Sequence, residues 1–358
     1  MKFFRILIIL LAINIFATAG HSQSPVLDSL RLILKNHPRE DSTHAYVMMR
    51  ISEELLSIDR KESIEMAKKA LALSYQINNP TSVFKACFAI GKAYSGTENN
   101  DSGRIYLQRG AEVAHTSGDL IWEAKCIAQV AVNELMTGNY EESLRTFQEA
   151  IPIAEKSGSV TMLGSIYSNI AGIFFHQEDY HKSLEYELKG YNLLKQKEDV
   201  RVILALSNVG QSYGALGNHD SAVYYMKQSV EKAIFYKDTS ELAYAFSCLG
   251  DEYKEHAEPD SAFSYYQIAL NLYSDLGYED SETGGLLGSI GDVLLLKKDF
   301  KGALTYYQQS EAILGASNYQ DQLEYTLKGI ADSYAGLGDY KKAWEHSQKY
   351  SALHDTLN

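Results

Sequence analysis

Proline is scarce in this chain. Only 5 occur in 358 residues, too few to break up a sequence that can otherwise form helix after helix. Together with 45% hydrophobic residues, that scarcity excludes a disordered chain and favours a folded, largely helical one. Basic residues are also in the minority, with 33 Lys and Arg against 46 Asp and Glu and a formal charge of −13. No basic stripe reverses this balance locally. Nucleic acid is therefore excluded as a partner, and an anionic membrane surface offers little attraction. Cysteine is sparse too: Cys87, Cys126 and Cys248 form no C-x-x-C pair, and each lies inside an apolar helical pattern. Three buried thiols are the expectation, with a Cys87–Cys126 bridge as the alternative.

Long apolar runs are absent after Gln23, so no transmembrane segment is expected in the mature chain. Before it, Lys2 and Arg5 precede an apolar stretch from Ile6 to Phe16, and Ala17 and Ala19 follow in an A-x-A arrangement. That is the layout of a secretory signal peptide over residues 1–19, cleaved after Ala19 or, second choice, after Ser22. The mature protein is expected to be exported, periplasmic or otherwise extracytoplasmic, with a lead-in over 20–41 that holds a short helix.

What is abundant is self-similarity. GNYEESLRTFQEA at 138–150, GNHDSAVYYMKQS at 217–229 and GDYKKAWEHSQKY at 338–350 are versions of one segment. Small residues recur in one row at Gly91, Ala131, Ala171, Gly210, Gly250, Gly291 and Ala331. A second row runs through Ser63, Gly103, Ser143, Ser183, Ala222, Ala262, Ala303 and Ala343. Successive members stand about 40 residues apart in both rows, the period of a helical repeat array. Seven residues beyond the second row, a third (Ala70, Gly110, Ala150, Gly190, Ser229, Ala269, Ser310) shares its helix face. Small side chains at these places point to close helix approach, where a bulky residue would overpack. Larger apolar residues surround them, as Leu206, Val209 and Tyr213 surround Gly210. Gly138, Gly217 and Gly338 stand where a left-handed residue would end one helix before the next begins. The expected unit is helix, tight turn, helix, short loop.

This pattern resembles the tetratricopeptide repeat family, in a long-repeat form of about 40 residues. The resemblance rests on Leu, Ile or Val before the helix-A Gly or Ala, Tyr three residues on, the G-x-Y turn, and the paired small residues of helix B. It implies an all-α fold, a TPR-like solenoid of antiparallel helix pairs winding as an α-α superhelix over 42–358. The units are expected at about 42–80, 81–118, 119–158, 159–197, 198–238, 239–279, 280–318 and 319–358. Pro259 departs from the aromatic found at the turn positions Tyr140 and Tyr340. More narrowly, the leader, DSLRLILKNHPREDS and the closing KYSALHDTLN look like the exported sensor region of Bacteroidetes-type membrane sensor kinases and regulators. In that group a membrane span and a signalling domain follow.

Motifs that carry chemistry are missing. His176 and His181 are five apart and straddle a turn, and His346 and His354 have no Cys partner, so no metal site is expected. GGLLGSIG at 284–291 has the wrong spacing for a dinucleotide or phosphate loop, and its glycines are expected to weaken their helix. No cofactor is implied, and an enzyme is not expected. Asp residues in the recurring DSG, DSA and DSE triplets are expected to cap helix starts.

Binding in the groove lined by the A helices is the function the resemblance implies, with a protein or extended peptide as partner. A structural or oligomer-forming module, including a homo-oligomer, is the alternative. Family phase puts groove positions at i−6, i−3, i+1 and i+4 from the helix-A small residue. The candidates are Gln211, Tyr244, Asp251, Asp292, Tyr325, Lys328 and Asp332. Asn169 and Asn208, at i−2, resemble asparagines that clamp ligand backbone in long-repeat relatives. The i+1 row ends in Asp251, Asp292 and Asp332, which predicts a negative stripe suited to a basic or amide-rich partner.

Overall fold

The computed structural model describes residues 25–357 apart from 57, 98, 279–280 and 316–318; the expected leader lies outside these residues. Regular structure among them is helical throughout, in the order α1 (Pro25–Asn36), α2 (Ser42–Leu55), α3 (Arg60–Gln76), α4 (Pro80–Tyr94), α5 (Asn100–Thr116) and α6 (Leu120–Met136). Then follow α7 (Tyr140–Ser157), α8 (Val160–His176), α9 (Tyr180–Gln196), α10 (Val202–Ala215), α11 (His219–Tyr236) and α12 (Thr239–Glu255). The last are α13 (Pro259–Asp275), α14 (Ser281–Leu296), α15 (Phe300–Leu314), α16 (Gln320–Gly336) and α17 (Tyr340–Leu357). From α2 onward, even-numbered helices are the A helices and odd-numbered ones the B helices. None of them is long and apolar enough to cross a membrane.

Two compact units are present, one up to Thr137 holding α1–α6 and one from Gly138 holding α7–α17. The expected repeat 119–158 thus contributes one helix to each. In the first unit, Leu27 of α1 packs with Val47, Ile51 and Leu55 of α2, which covers the open side of the leading pair. In the second, Tyr266, Tyr273, Ile290, Val293, Tyr307 and Ile330 join α13, α14, α15 and α16 in one core.

The rows of small residues are buried, and the helix-A row serves a second purpose besides close helix approach. A Cβ on Gly210 would stand 2.7 Å from Met226 Cγ, and one on Gly291 2.7 Å from Tyr307 Cζ. Gly91 would collide with Leu107 and Gly250 with Tyr266 in the same way. The helix-A small residue is therefore a socket for a large side chain sixteen residues later on helix B, and also a point of close approach, since a Cβ on Gly210 would stand 3.1 Å from the Ala222 carbonyl oxygen. At Gly103 of the second row a Cβ would stand 3.0 Å from the Gly91 carbonyl oxygen, a backbone atom that cannot swing aside. Ala343 of α17 is the half-buried member of that row. In α14 the glycines admit neighbours: a Cβ on Gly284 would be 2.7 Å from Leu314 Cδ2.

Turns follow the expected chemistry, with Gly138, Gly217 and Gly338 at φ 77, 75 and 79. The caps are displaced from the expected triplets. Asn218, not Asp220, accepts the Ser221 amide at 3.2 Å, and Asp101, Asp220 and Asp260 sit in the first turn. There they face the positive helix end without closing it. Pro259 is the first residue of α13, where its missing N–H costs nothing. All three cysteines are free and buried. Gly110 of α5 stands between Cys87 and Cys126, and burial pushes their thiols up to about 11 and about 12.

Candidate functional site

In the second unit the even helices bring several of the sequence-predicted residues into bonded contact across repeats. Asn208 on α10 donates from Nδ2 to Ser168 Oγ on α8 at 3.1 Å and to Glu187 Oε1 on α9 at 3.2 Å. One repeat on, Gln211 Nε2 donates to the Tyr244 hydroxyl at 3.1 Å and to Cys248 Sγ at 3.2 Å, both on α12. Lys254 of α12 places Nζ 3.5 Å from Asp292 Oδ2 on α14. Asp292 in turn accepts from Tyr307 of α15 at 2.5 Å and from Tyr325 of α16. A ladder of polar side chains thus runs from α8 to α16.

Between α8 and α10 the ladder opens into a cavity of about 270 Å³, lined by Ser168, Gly172, Phe175, Glu187, Asn208 and Gln211 among others. These two helices do not approach closely along their length, unlike α10 and α12. Their starts are held by a clasp in which Thr161 donates to Asp199 at 2.8 Å and Arg201 donates to both. A Cβ on Gly172 would meet nothing within 4 Å, so the wall is open there.

Glu187 gives the cavity its chemistry. It occupies the socket-filling position where the other repeats place Leu107, Phe147, Met226, Tyr266 and Tyr307. Its residue is only 4% exposed, and it has hydroxyl and amide partners but no cation among the described residues. Desolvation pushes its carboxyl up to about 8, against the pull of the Asn208 and Ser168 hydrogen bonds. At neutral pH it is mostly a neutral acid, able to donate as well as accept. Sequence reasoning missed it by following helix A alone; the signal was a lone Glu in an apolar helix-B column.

The expected acidic stripe is not bare. Lys254 lies between Asp251 and Asp292, 3.9 Å from Asp251 Oδ1, and Tyr266 donates to Asp251 at 2.5 Å. Asp251 is open on one side, with 55% of its side chain exposed. The crowded wall behind it raises the carboxyl by desolvation, while Tyr266 and Lys254 oppose that rise. Three free carboxylates are therefore replaced by two partnered ones and an exposed Asp332. Lys328 and Asp332 are exposed on α16, as is Tyr325. Asn169 does not join the ladder: it donates to Ser165 O in its own helix at 2.9 Å.

The first unit carries its own cavity of about 490 Å³ on the even-helix face, where Arg50, Lys92 and Lys125 meet Glu53 and Glu54. Its mixed charge distinguishes it from the acidic, tyrosine-rich surface of the second unit.

Residues 162–234, which include the cavity, match the tetratricopeptide repeat family model. The repeat geometry of antiparallel pairs, sockets and turns extends beyond them on both sides. Residues 162–234 are thus tetratricopeptide repeats, and the helix pairs on either side share their fold. Human protein O-mannosyl-transferase TMTC1 is 22% identical over 245 residues, 68% of this chain and 25% of that protein. Response regulator aspartate phosphatase E of Bacillus subtilis is 24% identical over 144 residues, 39% of this chain and 38% of that one. The chain thus spans well under half the length of these relatives. Among solved structures, the apo form of RapI has a TM-score of 0.58 at 13% identity, covering 92% of this chain and 85% of its own. A Rap protein complexed with Competence and Sporulation Factor has a TM-score of 0.53 at 12% identity, covering 88% and 99%. At these identities the likeness is one of fold.

Proposed function

We propose that the second unit binds an extended protein or peptide segment on its even-helix face, without catalysis, as the sensing or docking module of a signalling system outside the cytoplasm. The polar ladder at the α8–α10 cavity carries this proposal. Asn208 and Gln211 use their amide nitrogens within the protein, and their carbonyl oxygens have no partner among the described residues. Each oxygen can accept an N–H from a ligand backbone, which an extended segment presents at regular intervals. Phe175 and Leu204, each 38% exposed, supply apolar contact beside them. A structural neighbour complexed with a named factor adds support.

A phage-displayed library of unstructured peptides, selected on the full chain, tests the binding. Selected peptides are expected to lose about tenfold in affinity, about 1.4 kcal/mol, on Asn208→Ala or Gln211→Ala. Peptides that bind both variants as well as the parent would reject this face. The extracytoplasmic half rests on the leader-like residues 1–19. N-terminal sequencing of protein from its native host should start at Gly20 or Gln23, and an intact Met1 on cytoplasmic protein would reject it. Self-association is the competing reading, favoured by Tyr340 and Trp344, which lie one turn apart on α17 and are 73% and 64% exposed. Sedimentation of the parent against Trp344→Ala distinguishes the two.

A further inference from the structure

Away from the ladder, at the edge where α11 begins and α12 ends, three potential metal-ligating side chains converge. His219 is the first residue of α11, Glu252 lies in the last turn of α12, and His256 follows it by four residues as the C-cap. Their candidate donor atoms all lie within 4.8 Å of one another. His219 Nδ1 is 2.9 Å and His256 Nδ1 3.2 Å from the same Glu252 Oε1. The imidazole centroids are 3.9 Å apart. We propose that His219, Glu252 and His256 form a binding site for a borderline divalent metal ion of the zinc, cobalt and nickel class.

The donor set selects that class. Two imidazoles and one carboxylate suit zinc and its neighbours, whereas calcium and magnesium favour oxygen donors alone. At metal–ligand distances of about 2.0–2.2 Å, tetrahedral donors stand about 3.4 Å apart. The observed 2.9 and 3.2 Å to Glu252 Oε1 fall slightly short of that spacing, and all three donors lie within 4.8 Å of one another. Metal entry at the two Nδ1 atoms requires the neutral tautomer with its proton on Nε2, and it breaks the His256 Nδ1 hydrogen bond to the Glu252 carbonyl oxygen at 3.1 Å. Three protein donors leave a fourth position for water or another ligand.

The site is also built into the packing. Glu252 is 6% exposed, and its carboxylate occupies space beside Gly214 of α10 that any Cβ there would claim. Tyr253 covers His219 edge-on at 5.5 Å between centroids. A whole-chain formal charge of −13 favours cation capture. Because α11 closes one repeat and α12 opens the next, a bound ion would tie these repeats together.

The test uses the full chain, stripped with a chelator and desalted. Titration with Zn²⁺ alone, followed by calorimetry, should show one saturable ion per chain and a melting temperature that rises with Zn²⁺ concentration. Co²⁺ should add the visible absorption of a low-symmetry nitrogen–oxygen site, and Mg²⁺ should bind far more weakly. His219→Ala, His256→Ala and Glu252→Gln should each weaken Zn²⁺ by about a hundredfold or more, since even outer-shell losses cost 10–100-fold. His176→Ala should not. Circular dichroism checks that each variant is folded; His256→Ala, at a half-exposed helix end, is the variant to rely on if Glu252→Gln unfolds. Absence of saturable binding by the parent, or binding unchanged in folded His219→Ala and His256→Ala, would overturn the assignment.

Discussion

Replacing Glu187 by Gln removes one ionisable carboxyl from the α8–α10 cavity while keeping its length and its oxygen. The Asn208 and Ser168 donors still have an acceptor, so little change is expected where Glu187 is protonated. The difference appears as pH rises. Its folded pKa is raised from 4.5 to about 8, so between those values the folded chain holds a proton that the unfolded chain has released. Stability is then lost with increasing pH, fully present below about 4.5 and gone once pH passes about 8. A rise of this size at about 1.36 kcal/mol per pKa unit amounts to about 4–5 kcal/mol, against which the Gln variant is insensitive. Glu187→Gln should therefore match the parent near pH 5 and exceed it by several kcal/mol near pH 8. Repeat arrays unfold in steps, so hydrogen exchange of the α9 amides is the sharpest assay, with urea unfolding as a second. Glu185→Gln, on the exposed face where Glu185 pairs with Lys189 at 2.7 Å, is the control and should change stability by no more than about 0.5 kcal/mol. Parallel pH profiles for parent and Glu187→Gln would refute the buried neutral acid.

Two further predictions separate sockets from open wall and partnered from free carboxylates. Gly250→Ala should destabilise by about 1–3 kcal/mol through collision with Tyr266, whereas Gly172→Ala, facing open space, should stabilise by about 0.5–1 kcal/mol in thermal unfolding. Asp292→Asn should cost about 1–3 kcal/mol because it weakens two tyrosine hydrogen bonds and the Lys254 pair, while exposed Asp332→Asn should stay within about 0.5 kcal/mol. Equal effects within either pair, read by urea midpoints, would show that the assigned contacts do not govern stability.

The repeat was legible in the sequence because its determinants are local. A missing Cβ at Gly210, a positive φ at Gly217 and an Asn cap before His219 each act within one or two turns, and the 40-residue period reproduces them. The phase of helix A also placed Ser168, Gly172, Phe175 and Gln211 on the face where the cavity lies. What those side chains touch was decided by tertiary structure. The offset between successive pairs sets Asn208 over Ser168 and Glu187, turns Asn169 back to its own helix, and threads Lys254 between two carboxylates expected to stand free. It also brings His219 to Glu252, 33 residues on, and to His256 one turn beyond, a meeting that no helix face shows. Helix position follows from side-chain volume and backbone preference along the chain. Partnership depends on how one pair is displaced against the next, and that displacement is set by all the sockets of both pairs together.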